Sequence, residues 1–162
     1  MDLYLDEEYK IIKDFPDYAI TNYGRVYSFK ANKFLKLRTN RGKTNKLDYY
    51  HAALQDKNKY KDYPIHRLVA LYFIPYTGLN PDGTIIKGNP QINHKDSNTA
   101  NNKVNNLEWC DSAYNNKIKL SNKWCNFSID ELIEERKKYK PKTPVYFSIT
   151  SIIHQRRKHE VC

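Results

Sequence analysis

Residues 91–116 read QINHKDSNTANNKVNNLEWCDSAYNN. The stretch begins with a short β-rich run that ends at His94, and Leu107–Cys110 form a second such run after a loop dense in Asn and Asp. Ser112 is a suitable N-cap for a helix over about residues 113–120. The stretch therefore predicts a strand, a loop, a second strand and a helix in close succession.

This β-loop-β-helix arrangement can bring separated polar side chains to one point. His94 and Asn106 are 12 residues apart, on opposite sides of the predicted hairpin. Asn93 and Asn115 are 22 residues apart, on a strand and a helix. Such a cluster could hydrolyse a phosphodiester bond, which requires a base for water, a divalent ion beside the phosphate and groups that orient them. Imidazole exchanges protons near neutral pH and suits the base, and the amide oxygens of Asn93 and Asn115 suit Mg²⁺ or Mn²⁺.

The chain before this stretch is predicted to be a small antiparallel sheet followed by a helix. Gly24 lies in an Asn-Tyr-Gly turn and is predicted to have a positive φ. Residues 56–62 are interpreted as a polar turn, and apolar residues at spacings of three and four predict a helix from Ile65 to Phe73. The predicted strands are Tyr9–Ile12, Tyr18–Thr21, Arg25–Ser28, Phe34–Leu37 and Tyr49–Gln55.

The last 40 residues are predicted to form helix, loop and helix. Ser128 and Glu131 have the spacing of a capping box. Pro144 is interpreted as a helix breaker, and a second helix is predicted from Ser148 to about Lys158.

The chain resembles HNH homing endonucleases in two blocks that lie before the C-terminal tail. Residues 7–28, EEYKIIKDFPDYAITNYGRVYS, resemble the β-rich module that precedes the nuclease domain in this family. Residues 65–75, IHRLVALYFIP, together with INHKDSNTANNKVNNLEWCDSAYNN, resemble the HNH core. The resemblance implies an α+β fold with three parts. These are a small N-terminal antiparallel sheet module (1–48), a ββα-metal (His-Me finger) HNH core (49–122) and a short helical C-terminal tail, a possible degenerate helix-turn-helix (123–162).

The resemblance also implies a role for each candidate residue. His94 corresponds to the general base, and Asn106 to the Asn that holds the base in place. Asn93 and Asn115 correspond to metal ligands, although Asn93 stands where Asp is often found and Ser97 where Gly is usual. The family activity would be metal-dependent cleavage of double-stranded DNA, as a nick or a double-strand break, leaving a 5′-phosphate and a 3′-hydroxyl. One Mg²⁺ or Mn²⁺ would be the cofactor.

Two further polar residues have a structural interpretation. His66 resembles a fixed position of the family and is interpreted as capping or bracing the core. Asp96 is interpreted as holding the loop after His94, with a metal-binding role as the alternative.

The charge of the chain favours DNA as the partner. The 28 Lys and Arg against 18 Asp and Glu give a net charge of +10, and much of it lies in residues 29–46 and 156–158. A solvated basic loop is the alternative interpretation. The candidate DNA-binding residues are Arg25, Lys36, Arg38, Arg41, Lys43, Arg156 and Arg157.

Other classes of protein are disfavoured. The three Cys form no CxxC pair, so neither structural zinc nor a disulfide framework is expected. Neither a signal peptide nor an apolar run of 18 residues is present, so we expect no membrane contact. The odd number and wide spacing of the Cys favour a reducing, intracellular setting. We also expect a monomer, with a virus or phage as one source. A non-catalytic DNA-binding protein on the same scaffold, such as a regulator or a decayed nuclease, is the alternative to an enzyme.

Overall fold

The computed structural model describes residues 1–39 and 49–159. The chain forms two compact units, Met1–Asp111 and Ser112–Cys162. The first combines small antiparallel sheets with one α-helix over its described residues, and the second is helical. The α+β class predicted from the sequence is therefore confirmed.

The first sheet is an antiparallel meander of four strands. In spatial order they are β1 (Tyr9–Ile12), β2 (Phe15–Thr21), β3 (Val26–Ser28) and β4 (Lys33–Phe34). Gly24 closes the β2–β3 turn with a φ of 79°, which confirms the positive φ predicted there.

The second sheet contains a strand that sequence patterning missed. Its strands are β5 (Arg38–Thr39), β6 (Tyr50–Asp56) and β7 (Lys59–Pro64). The polar turn predicted over 56–62 is wrong, because the chain turns within two residues and then pairs back along β6. Half of β7 is exposed, so it lacks the alternation of apolar and polar residues that identifies a half-buried strand.

The next elements match their prediction. Helix α1 spans Ile65–Phe73, and an antiparallel hairpin joins β8 (Gln91–His94) to β9 (Leu107–Cys110). A short 3₁₀ helix, Val104–Asn106, leads into β9. Helix α1 and strands β8 and β9 each have a strong local pattern, which is why their bounds could be predicted, whereas the 3₁₀ helix lies where the sequence predicted only a polar loop.

One hydrophobic cluster joins both sheets, α1 and the hairpin. Full burial of a large aliphatic side chain stabilises by about 1.5–3 kcal/mol, so separating these elements would be costly. The predicted modules 1–48 and 49–122 therefore share a core, and the boundary between compact units lies after Asp111. The buried members are Ile12, Phe15, Ile20, Val26, Ala52, Leu54, Ile65, Leu68, Val69, Ala70, Ile92 and Leu107.

The second unit consists of α2 (Ser112–Lys123), α3 (Ile129–Lys137) and α4 (Pro144–His159) over its described residues. Both hydrogen bonds of the predicted capping box at Ser128 are present. Pro144 was predicted to break a helix but begins α4, because the first helical position needs no backbone donor. The core of this unit is formed by Trp124, Leu132, Ile149 and Ile153.

The connection from α3 to α4 spans six residues, more than the three or four of a helix-turn-helix. Among the described residues, no helix has both the length and the apolar character needed to cross a bilayer.

Candidate active site

The β8–β9 hairpin buries two polar residues side by side at the end of a strand. Asn93 and His94 are 4% and 5% exposed. In the strand register His94 lies opposite Leu107, and Asn93 lies opposite Glu108. A strand of this length would normally bury apolar side chains, so two buried polar neighbours need specific partners to offset their desolvation.

The His94 ring has a hydrogen-bond partner and two ring neighbours. Its Nε2 lies 3.1 Å from Oδ1 of Asn102, which is itself 5% exposed. The His66 ring centroid lies 5.4 Å from that of His94 in an edge-to-face arrangement. The Tyr49 ring lies 4.7 Å from His66 and 6.0 Å from His94. Residues before β6, on α1, on β8 and in the hairpin loop thus meet around one imidazole.

His66 is held in its neutral form by this environment. Burial, and then the positive charges of His94, Arg67 and His51, lower the pKa of His66 from 6.5 to about 3. Its Nδ1 is buried, with no hydrogen-bond partner among the described residues. The structure therefore places His66 in contact with the candidate base, although the sequence suggested only a structural role.

Asp96 organises the loop that follows His94. It accepts hydrogen bonds from the Asn98 backbone, from Nδ2 of Asn101 and from Nδ2 of Asn106. Burial acts to raise the pKa of Asp96, but these bonds outweigh it and hold the pKa below its ordinary value. Ser97 adopts a φ of 60°, so the turn keeps the positive φ that Gly would favour. The interpretation of Asp96 as a loop-holding residue agrees with this geometry.

Asn106 contacts the loop, while Asn102 contacts the candidate base. The Asn106 side chain accepts from the Asp96 backbone N–H at 3.1 Å and donates to Asp96 and to the Asn101 carbonyl. The sequence suggests a hydrogen bond from a ring nitrogen of His94 to the main-chain or side-chain oxygen of Asn106, and the structure adds Asn102, whose Oδ1 lies 3.1 Å from Nε2 of the ring. Sequence reasoning did not pair Asn102 with His94, because Asn102 is one of five Asn between residues 98 and 106.

The residues on the hairpin fit a hard divalent cation. Nδ2 of Asn93 donates a 2.8 Å hydrogen bond to Oε1 of Glu108, so the amide orientation is set and Oδ1 remains as the oxygen for a ligand. Glu108 brings a carboxylate next to an amide that would otherwise contribute no charge. Sequence reasoning missed this pair because it depends on the strand register. Asn115, the other predicted ligand, is a buried residue of α2 in the second unit.

Two of the predicted DNA-binding arginines have partners inside the fold. Arg25 forms an ion pair with buried Glu7, and its guanidinium lies over the rings of Tyr4 and Phe34. The hydrogen bond to Glu7 raises the pKa of Arg25. Arg156 donates to three backbone carbonyls at and after the end of α2. Both guanidinium groups therefore stabilise the fold.

The other predicted DNA-binding residues are more accessible where the structure describes them. Lys36 and Arg157 are exposed. The Arg38 side chain is 57% exposed and lies 3.0 Å from Oδ1 of Asp62. Arg41 and Lys43 lie outside the described residues.

Comparisons with known proteins give consistent matches. The NUMOD4 motif matches residues 7–69, which run from just before β1 into α1. The DNA endonuclease I-HmuI of Bacillus phage SP01 is 33% identical over 135 residues, which cover 83% of this chain and 70% of the phage protein. Its solved structure, described as DNA binding and cleavage by the HNH homing endonuclease I-HmuI, matches with a TM-score of 0.58 and 31% identity over the same shares of both chains.

Other relatives are longer than this chain. An uncharacterized HNH endonuclease, L247 of Acanthamoeba polyphaga mimivirus, is 37% identical over 64% of this chain. The match covers 23% of that protein, and a second mimivirus relative, L245, is covered to 26%. The chain thus spans about a quarter of the length of these two relatives.

Proposed function

Because this chain belongs to the HNH endonuclease family, we propose that it is a DNA endonuclease of the homing type, which hydrolyses phosphodiester bonds of double-stranded DNA with a divalent metal ion. The observation that carries the proposal is the buried His94 beside Asn93 on one hairpin, each with a dedicated polar partner. A protein that only binds DNA has no need for a buried base next to a potential metal ligand.

His94 is the general base of the proposed reaction. It takes a proton from water as the water oxygen bonds to phosphorus and the bond to the 3′ oxygen breaks. The released 3′ oxygen takes a proton from solvent water, so the products are a 5′-phosphate and a 3′-hydroxyl. Asp96 and Asn106 maintain the loop that follows the base. The ring contacts with His66 and Tyr49 restrict the orientation of the imidazole.

Asn93 is the residue of the hairpin that would hold the ion, and Asn115 stays a ligand predicted from the sequence. When bound, Mg²⁺ or Mn²⁺ supplies positive charge next to the phosphate and the leaving oxygen. Glu108 orients Asn93 through the hydrogen bond to its Nδ2. No structural zinc is part of the proposal.

The proposed DNA-binding residues are Lys36, Arg38, Arg41, Lys43 and Arg157, which would contact phosphates and give a salt-dependent affinity. Arg25 and Arg156 are left out because their guanidinium groups are bonded within the fold. We propose that the protein acts as a monomer inside a host cell, and the phage and mimivirus relatives support a viral origin.

A cleavage assay separates the enzyme from a non-catalytic DNA-binding protein. A supercoiled plasmid library with random inserts supplies target sites, and sequencing of the new ends locates the cuts. With Mg²⁺ or Mn²⁺ the wild type is expected to nick or linearise the library. His94→Ala should lose about 10²- to 10⁴-fold in rate, as expected for loss of a general base, and still shift DNA on a gel. His154→Ala, which removes an exposed imidazole, is the matched control. If wild type and His94→Ala both bind DNA and leave it intact, the protein is a non-catalytic binder.

The assignment of Asn93 as a metal ligand can be tested by measuring stability instead of DNA cleavage. Asn93→Asp replaces the donor to Glu108 with a carboxylate oxygen, so without metal the variant should be about 1–3 kcal/mol less stable. Mg²⁺ bound at this position would relieve the repulsion and raise the melting temperature of the variant more than that of the wild type. Asn105→Asp makes the same change at an exposed residue and is the control. Equal Mg²⁺ shifts in all three proteins would contradict the assignment.

A further inference from the structure

Asn102 accepts a hydrogen bond from the candidate base and donates to two backbone carbonyls. Its Oδ1 lies 3.1 Å from Nε2 of His94. Its Nδ2 points to the backbone carbonyls of Thr99 and Ala100, at 3.4 and 3.3 Å. Rotating the amide by half a turn would place its oxygen against these two carbonyls and its NH₂ group against the ring, so one orientation is strongly favoured.

This orientation determines which nitrogen of His94 carries the proton. Oδ1 of an amide can only accept, so the neutral imidazole has to carry its hydrogen on Nε2 to form the bond. The lone pair of the neutral ring then belongs to Nδ1. When the ring takes up a proton, Nε2 keeps the same hydrogen and the same partner, so Asn102 does not have to move during the reaction.

The β2–β3 turn of the N-terminal sheet packs against Asn102. A Cβ built on Gly24 would lie 2.7 Å from Cβ of Asn102 and 3.2 Å from its carbonyl oxygen, so the β2–β3 turn approaches as closely as a glycine allows. The Val104 backbone N–H donates to the Asn22 carbonyl at 2.8 Å and joins the same turn to the end of the loop. Both contacts lie within the first compact unit.

We infer that Asn102, supported by the turn at Asn22–Gly24, is a positioning residue that keeps His94 in the Nε2-protonated tautomer and so makes Nδ1 the basic atom. The sheet that the NUMOD4 motif covers thereby contributes to the geometry of the nuclease site as well as to any DNA contact. The catalytic consequence rests on the proposed function, whereas the tautomer can be measured on the protein alone.

The tautomer is measured by ¹⁵N NMR of the histidine side chains at one neutral pH. The full-length protein is labelled on histidine, and His94→Gln identifies the His94 signals by their disappearance. Protonated and unprotonated ring nitrogens resonate far apart, so each tautomer has a distinct pattern. The wild type is expected to show a protonated Nε2 and an unprotonated Nδ1 at His94. A neutral His94 ring with its proton on Nδ1 in the wild type would overturn the inference. This result comes from the wild-type protein and does not depend on whether a variant folds.

Variants test whether Asn102 is the cause. In Asn102→Ala we expect a mixture of tautomers at His94 and a loss of cleavage of about tenfold or more, comparable to the loss of a partner that orients a histidine in a metal site. Asn105→Ala removes a neighbouring amide at an exposed position and should keep both the tautomer and the cleavage rate. A folded Asn102→Ala protein with an unchanged His94 tautomer would refute the role of Asn102.

The two proposals fail in different ways. If the wild type does not cleave DNA but shows the Nε2 tautomer, and Asn102→Ala loses it, the endonuclease proposal fails and the positioning role of Asn102 stands. If DNA is cleaved in a His94-dependent way and the tautomer does not respond to Asn102, the endonuclease proposal stands and the positioning role is refuted.

Discussion

Acidification should destabilise the folded chain through His66. Burial and the nearby positive charges give this side chain a pKa of about 3 in the folded state, against 6.5 for an ordinary histidine. Between pH 6.5 and pH 3 the unfolded chain therefore binds a proton at this position and the folded chain does not. Because the unfolded state binds more protons in this window, stability falls as the pH falls through it.

The size of the effect follows from the same two pKa values. Within this window, each pH unit of acidification lowers the free energy of unfolding by about 1.4 kcal/mol. At pH 5 the solution lies about 1.5 units below the ordinary pKa, so His66 should reduce the free energy of unfolding by about 2 kcal/mol relative to pH 7.5. This loss is a large fraction of the stability of a typical domain.

Urea unfolding at both pH values isolates this contribution. His66→Gln carries no titratable group, so between pH 7.5 and pH 5 it should lose about 2 kcal/mol less than the wild type. Other groups titrate in both proteins and cancel in the comparison. Tryptophan fluorescence follows the unfolding, with contributions from Trp109 in the first compact unit and Trp124 in the second. His154→Gln, at an exposed position, should behave like the wild type. If His66→Gln and the wild type lose the same stability, the assignment of a buried neutral His66 is refuted.

Two further substitutions test the packing. Gly24→Ala should cost about 2–4 kcal/mol, because a Cβ would meet Asn102 at 2.7 Å in addition to the strain of a positive φ. Gly83→Ala has a similar φ and open space around it, so chemical denaturation should show the smaller cost of strain alone, and equal costs would contradict the clash. Arg156→Gln should destabilise the second unit by about 2–3 kcal/mol through its lost carbonyl partners, whereas exposed Arg157→Gln should change the melting temperature little.

The sequence predicted the elements whose pattern is local. The bounds of α1, β8 and β9 follow from helical spacing and short β-rich runs, and the capping box at Ser128 follows from two residues three apart. Strand β7 was missed because half of its residues are exposed and it is ordered by pairing with β6. Pro144 was misread because the same residue can end one helix or begin the next.

Net charge does not determine which individual basic residues are accessible to a partner. Arg25 and Arg156 are both basic residues in suitable runs, yet each is bonded within the fold. Whether an arginine is available to a phosphate depends on a carboxylate or a carbonyl that can lie far away along the chain. Glu7 is 18 residues from Arg25, and the Trp124 carbonyl is 32 residues from Arg156.

The sequence by itself determined the residue types of the candidate site and the hairpin that carries His94 and Asn93, since these depend on neighbours along the chain. Only the tertiary structure decided how these residues are held. The Asn102 bond to His94, the His66 ring contact and the close approach of Gly24 each join separate segments. Such contacts depend on strand register and shared burial in one core, which local periodicity does not encode.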